Sequence, residues 1–331
     1  MKAPRVAVLL VALTALAGCG GAATPKTATT PTRTPSVSAT SRGTAAPLHA
    51  RAVYATWRLP YAISREAVLP VSSAQGSVLL AGGMMPGDVS TAKVLRILLR
   101  QGKAFALPSL GVAVHDVAAG TYNDRPALFG GGNATEQSVV QAFNGRKWRV
   151  VAHLPTTRSD LSVVELDGST LIIGGYDGTA VPRPVLTPGP GARFAAIGQL
   201  AVGVRYAATA VLGPHVYVFG GEVDHHELST VQRFDVSLGR TVVVGHLPRP
   251  LGHAVAAAVG GRILLIGGRT DPNTQTAAMW WYDPGTRRFT AAGRLPVGTS
   301  DSAVVAEGHR IWLLGGEHPQ VTDRVIVVHV S

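Results

Sequence analysis

Cysteine is almost absent from this chain of 331 residues: Cys19 is the only one, so no intramolecular disulfide can form. Charged residues are sparse at 15% and aromatics at 6%, and no Lys/Arg stripe is interleaved with aromatic rings. That removes the usual footprint of a nucleic-acid binder. The apolar stretch Val6 to Ala17 is too short for a membrane-crossing helix. Neither a Gly-x-Ser-x-Gly elbow nor a His-Glu-x-x-His pair is found, which leaves two common hydrolytic centres without their motif. Glycine and proline, by contrast, are plentiful at 39 and 22 residues in a chain that is 46% hydrophobic. That balance suits short strands and many turns.

The glycines and prolines keep a period. A Leu-Pro pair stands at Leu59-Pro60, Leu107-Pro108, Leu154-Pro155, Leu247-Pro248 and Leu295-Pro296, with Leu200-Ala201 in the fourth place, at intervals of 48, 47, 46, 47 and 48 residues. Each copy leads into an apolar run that ends in a glycine pair, beginning at Gly82, Gly130, Gly174, Gly220, Gly267 and Gly315. A repeat of this length means stacked supersecondary units. In the third unit, Asp167-Gly168 separates the runs Leu161 to Leu166 and Ser169 to Ile173, a hairpin signal. A polar loop follows the glycine pair, then a third strand ending in an aromatic beside Asp or Asn, as in Phe143-Asn144, Phe234-Asp235 and Tyr282-Asp283. The fourth strand carries Trp148 or Phe289 and runs into the next Leu-Pro.

These marks resemble the kelch repeat over roughly residues 53 to 331. The resemblance implies an all-β, six-bladed kelch-type β-propeller with one four-stranded blade per repeat. Two units depart from the pattern: the first has Arg96-Ile97-Leu98 in place of the aromatic-acid pair, and the fourth has Thr241 where others carry an aromatic. The glycine pairs are expected near a crowded axis, where a side chain would clash. Only 36 residues follow Leu295, so the last unit lacks a strand, while Val53 to Arg58 precede the first Leu-Pro with no blade of their own. The ring is therefore expected to close by adding this N-terminal strand to the sixth blade, which leaves no open sheet edge.

The N-terminus carries Lys2, Arg5, the apolar stretch and then Leu16-Ala17-Gly18-Cys19. This resembles the lipobox of bacterial lipoproteins, which implies a signal peptide over residues 1–18, a lipid on Cys19 and a place on the extracytoplasmic side of the cell membrane. Residues 19–50, rich in Thr, Pro and Ala, read as a flexible stalk, and residues 51–331 as the propeller. The formal charge of +11 falls to +9 once Lys2 and Arg5 leave with the signal, and it serves either solubility or attraction to an anionic surface.

In an antiparallel meander the loops after Leu-Pro and those after Gly-Gly open on one face. That face is expected to gather Arg65, Arg158, Asp160, Arg205, Tyr206, His253 and Asp301 from the first loop type, and Glu222, Arg269 and Glu317 from the second. Arg65, Arg158 and Arg205, with Arg269, either converge on a carboxylate or phosphate through forked hydrogen bonds or pair with neighbouring acids. Asp224, His225 and His226 are weak metal-ligand candidates, because no second cluster stands at a defined spacing. No cofactor is expected. Galactose oxidase shares the kelch propeller, but its copper site uses a cysteine, and the sole cysteine here belongs to the lipobox-like segment. Two functions remain: a non-catalytic binding or scaffold module for a protein or glycan partner in the cell envelope, or a carbohydrate-active enzyme, an isomerase, lyase or hydrolase of an acidic sugar, with an Arg-rich mouth.

Overall fold

The alternation of apolar runs with tight turns folds into six four-stranded antiparallel sheets. The computed structural model describes residues 49–71 and 76–331. The segments expected to form a signal peptide and a stalk, Cys19 included, lie outside the described residues. Blade 1 consists of Ala67–Pro70, Ser77–Ala81, Val94–Leu98 and Lys103–Leu107, and blade 2 of Ala118–Tyr122, Arg125–Phe129, Val139–Phe143 and Trp148–His153. Blade 3 is Ser162–Leu166, Ser169–Ile173, Pro184–Pro188 and Phe194–Gln199, and blade 4 is Ala208–Leu212, His215–Phe219, Thr230–Asp235 and Arg240–His246. Blade 5 is Val255–Val259, Arg262–Ile266, Ala278–Asp283 and Arg288–Arg294. Blade 6 takes Ala303–Glu307, Arg310–Leu314 and Thr322–Val330 from the end of the chain. Its fourth strand is Ala50–Ile63.

The N-terminal strand therefore closes the ring. Ala50 pairs with Val330, Val53 with Val327 and Tyr54 with Ile326, before bulges shift the register past Tyr54 and again past Arg58. The first strands of the blades neighbour one another in order from blade 1 to blade 6 and back to blade 1. They line an axial channel walled by small side chains such as Ala67, Ala118, Ala208, Ala254 and Ala303. Blades 3 and 4 are also joined at their outer edges by one parallel bridge, Gln199 to Arg240.

The apolar core is divided the way a propeller requires. It falls into six clusters, each sandwiched between two neighbouring blades. Between blades 6 and 1, for example, Trp312, Leu314 and Val325 pack with Leu80, Leu95 and Ile97. Burying each such side chain contributes about 1.5–3 kcal/mol, so blade contacts rather than single blades carry the stability. Trp57 of the N-terminal strand packs onto the same cluster, its ring centroid 6.0 Å from that of Trp312. Two buried glutamines in these layers are satisfied by backbone. The fully buried Gln141 accepts the Val112 N–H at 2.8 Å and donates to its carbonyl at 3.0 Å, and Gln232 does the same with Val202.

The glycine pairs have a different role from the expected one. Their crowding comes from the incoming loops, not from the axis: a Cβ on the first glycine would meet the next blade's loop, and one on the second glycine the loop of its own blade. The second glycine of each pair donates its N–H to a carbonyl of the next blade's loop: Gly83 to Val114, Gly131 to Arg158, Gly175 to Val204, Gly221 to Leu251, Gly268 to Thr299 and Gly316 to Ile63, all at 2.7–2.9 Å. At Gly221, φ is +95° and a Cβ would sit 2.7 Å from the Arg205 carbonyl oxygen, so only glycine fits.

Candidate functional site

The six loops that lead into the blades each place one residue at the mouth of the channel: Arg65, Asp116, Asp160, Tyr206, His253 and Asp301. Their backbones form a closed ring of hydrogen bonds. Asp116 donates to Arg65 (2.9 Å), Asp160 to Asp116 (2.9 Å), Tyr206 to Asp160 (3.0 Å), His253 to Tyr206 (2.9 Å), Asp301 to His253 (3.2 Å) and Arg65 to Asp301 (2.9 Å). All six are left-handed, with φ between 50° and 58°. Glycine adopts this conformation without strain and Asp tolerates it, but for Arg, Tyr and His it costs on the order of 1 kcal/mol each. No blade uses glycine there, so the ring is kept for its side chains.

A second tier follows the glycine pairs. Glu222, Arg269 and Glu317 form single bridges with Arg205, Gly252 and Ser300 of the first tier's loops, which puts both loop types on one face as expected. Their side chains alternate in sign. Arg65 reaches Asp116 (3.2 Å), Glu317 (3.4 Å) and Asp301 (3.9 Å). Arg269 reaches Glu317 (2.6 Å) and Asp301 (2.8 Å). His253 lies between Asp301, 2.7 Å from Nδ1, and Glu222, 3.3 Å from Nε2. Arg205 spans Glu222 (3.1 Å) and Asp160 (3.6 Å). Tyr206 stacks on the His253 ring at 3.8 Å, and its hydroxyl donates to Asp116 at 3.3 Å. The Arg205 guanidinium lies 4.9 Å from the Tyr206 ring centre and 5.0 Å from that of Tyr176.

Burial and these pairings set the protonation states. Burial alone would lower the His253 pKa, but the Asp301 charge and the hydrogen bonds to Asp301 and Glu222 push it up to about 9. Burial would likewise raise Asp301, yet His253, Arg65 and Arg269 hold it well below the usual carboxylate range. Asp160 goes the other way: burial and then the Asp116 charge raise it to about 7 against the pull of Arg205. Burial lifts Glu66 well above its ordinary value; one oxygen accepts the Ala303 N–H at 3.3 Å and the other has no partner. The ring side chains and Glu66 line a cavity of about 120 Å³, which shares walls with a channel space of about 470 Å³ between the first strands.

Of the residues expected on this face, Arg65, Asp160, Arg205, Tyr206, His253, Glu222, Arg269, Asp301 and Glu317 come together here. Arg158 does not join them. Its side chain is buried inside blade 3 and donates to the carbonyls of Gly174 (3.2 Å) and Pro184 (3.3 Å), because the glycine-pair turn leaves those acceptors facing inward. The four-arginine convergence therefore loses one member, and the remaining three are each paired with acids. Asp224 and His225 form the left-handed tip of a short hairpin in which Glu222 pairs with Glu227 and Val223 with His226. That turn points His225 into solvent, and among the described residues no group of three His, Cys, Asp or Glu is arranged to hold a metal ion. Asp116 was missed because the loop after Leu107 is three residues longer than its counterparts. Counting back from the glycines would have found it: Asp116 precedes Gly130 by 14 residues, as Asp160 precedes Gly174 and Tyr206 precedes Gly220.

Comparison with known proteins agrees with this architecture. The family described as Kelch motif matches residues 204–240 and 250–296, which are the units of blades 4 and 5. Kelch-like protein 25 of Xenopus tropicalis is 23% identical over 203 residues, 56% of this chain and 34% of that protein. Its human counterpart is 26% identical over 181 residues, 51% of this chain and 30% of that protein. Alpha-scruin of Limulus polyphemus is 22% identical over 238 residues, 64% of this chain and 26% of that protein. The matched segments thus span about a third or less of those relatives' lengths. Among solved structures, that of YjhT superposes with a TM-score of 0.71 at 12% identity, covering 83% of this chain and 99% of that one. The class is a closed β-propeller. Blades 4 and 5 of this chain carry kelch motifs.

Proposed function

We propose that this protein is a binding module, held on the extracytoplasmic side of the cell membrane by a lipid on Cys19, whose mouth face grips a protein or glycan partner in the cell envelope. The observation that carries this reading is the strained six-residue ring, whose charged and aromatic side chains are fixed by backbone hydrogen bonds at one opening. Binding groups on a rigid scaffold lose little freedom on complex formation. Arg65, Arg205 and Arg269 are each engaged by two or more acids, so none is spare to clamp an anionic ligand. The chemistry that suits the mouth is a hydroxyl-rich neutral glycan or a basic peptide segment. A panel of cell-wall fragments, neutral glycans and basic peptides, screened against the full chain, tests this. Arg205→Ala is expected to weaken the bound ligand about tenfold, while Arg158→Ala lowers thermal stability and leaves affinity alone; the reverse pattern would reject the mouth as the site.

A second reading, a carbohydrate-active enzyme, is favoured by one feature: the Asp160 carboxyl, raised to about 7 in the mouth cavity, suits a general acid. Turnover of an acidic sugar, followed by NMR and abolished by Asp160→Asn, would support it; no turnover across a set of acidic sugars would reject it.

A further inference from the structure

The loops of the propeller are sorted by charge. On the mouth face, the described loops 63–66, 82–93, 108–117, 130–138, 155–161, 174–183, 201–207, 220–229, 248–254, 267–277, 296–302 and 315–321 hold 7 Lys and Arg against 12 Asp and Glu. On the opposite face, the described turns 99–103, 122–125, 144–148, 166–169, 188–194, 212–215, 235–240, 259–262, 283–288 and 307–310 hold 11 against 5. The net positive charge thus conceals an acidic mouth and a basic back. The pairing differs as well. On the basic face Glu307 takes Arg100 at 2.9 Å and Asp283 lies 3.9 Å from Arg262. Arg125, Arg146, Lys147, Arg193, Arg287 and Arg288 are exposed and have no acidic partner among the described residues. The basic face is also low in relief. Its described turns are short, two residues between first and second strands, as at Asn123-Asp124 and Asp167-Gly168, and four or five between third and fourth strands, whereas the mouth carries loops as long as 82–93.

The chain enters the propeller at this basic face. The His49 N–H donates to the Ser331 carbonyl at 2.9 Å, the Ser331 N–H returns to His49 at 3.0 Å, and the Val330 N–H donates at 2.8 Å to His309 in the first turn of blade 6. Twenty-nine residues, 20–48, separate this point from Cys19, and they include Lys26, Arg33 and Arg42 but no acid. Even fully extended they span no more than about 100 Å.

The geometry points to the basic face as a docking surface for an anionic lipid bilayer, seated so that the acidic mouth faces away from the membrane. The seating rests on the proposed lipid at Cys19, while the affinity of the face for anionic lipid does not. Each unpaired Lys or Arg near such a surface is attracted to it, and the attraction falls off within a Debye length of about 10 Å, so a low face with many cations gains where a ridged one does not. The mouth, with its excess of acids, is repelled by the same surface. The tether and the face act together, because a tethered module meets the bilayer at a high effective concentration.

The test uses the full chain carrying Cys19→Ser, so that no lipid is attached, in co-sedimentation with phosphatidylcholine vesicles with and without roughly one third phosphatidylglycerol. Two variants with equal net charge are compared: Arg146→Glu with Arg288→Glu on the basic face, and Lys93→Glu with Arg249→Glu on the mouth face. Matching melting curves confirm that both fold. The expected result is binding to the anionic vesicles that is lost in ~0.5 M salt. It should fall about tenfold or more in the basic-face pair and less than about twofold in the mouth-face pair. Equal loss in both pairs would overturn the proposal, because net charge alone would then explain the binding. So would no binding to anionic vesicles, or capture by a soluble anionic cell-wall polymer without vesicle binding. Acylation of Cys19 is read separately, by mass spectrometry of the wild-type protein, and its absence would leave the vesicle result standing.

Discussion

His253 is the residue in which packing, charge and pH meet most directly. It is buried, stacked on Tyr206 and held between Asp301 and Glu222, so it ties the loops of blades 4, 5 and 6 together while positively charged. Its folded pKa of about 9 lies above the ordinary imidazole value of 6.5. A group raised in this way stabilises fully below the unfolded pKa, and that stabilisation is lost as pH rises through the folded pKa. The contribution is about 3 kcal/mol at most, present below pH ~6.5 and gone above ~9. Melting temperature should therefore fall between pH 6.5 and 9.5 in the wild type, and by clearly less in His253→Gln. Parallel curves for the two proteins would show that the imidazolium is not what ties the loops.

At the scale of elements, two predictions follow from how blades meet. Gly221→Ala puts a side chain against the Arg205 carbonyl at a φ of +95°, whereas Gly168→Ala, at +75°, meets nothing within 4 Å. Chemical denaturation should show a loss of about 1 kcal/mol for Gly168→Ala and about 3 kcal/mol or more for Gly221→Ala. Equal losses would mean that the glycine pairs are ordinary turn glycines. Removing residues 50–58 takes away most of the fourth strand of blade 6 and Trp57 with it. The melting temperature should drop by more than about 10 °C or folding should fail, and an unchanged value would refute closure by this strand. Much of this was legible in the sequence: six Leu-Pro and Gly-Gly marks set the blades, and the missing last strand set the closure. What was not legible depends on direction rather than period. Nothing in Arg158 itself tells that its side chain turns inward to Gly174 and Pro184, and the longer loop before Asp116 broke the count that located its five counterparts.

At the scale of the whole molecule, a closed ring with a rigid acidic mouth and a low basic back is a two-sided object. Six inter-blade clusters make the scaffold stiff, and the hydrogen-bonded ring carries that stiffness to the mouth side chains. The two faces should therefore be separable by mutation, since substitutions on opposite faces share no partners and act independently. The most direct measurement is a calorimetric titration of the tightest ligand from the panel into three full-length proteins: wild type, Tyr206→Ala, and the pair Arg146→Glu with Arg288→Glu. Affinity is predicted to fall at least about tenfold in Tyr206→Ala, the aromatic centre of the ring, and to stay within about twofold of wild type in the basic-face pair. Unchanged affinity in a folded Tyr206→Ala protein would contradict the assignment of the mouth ring as the binding site.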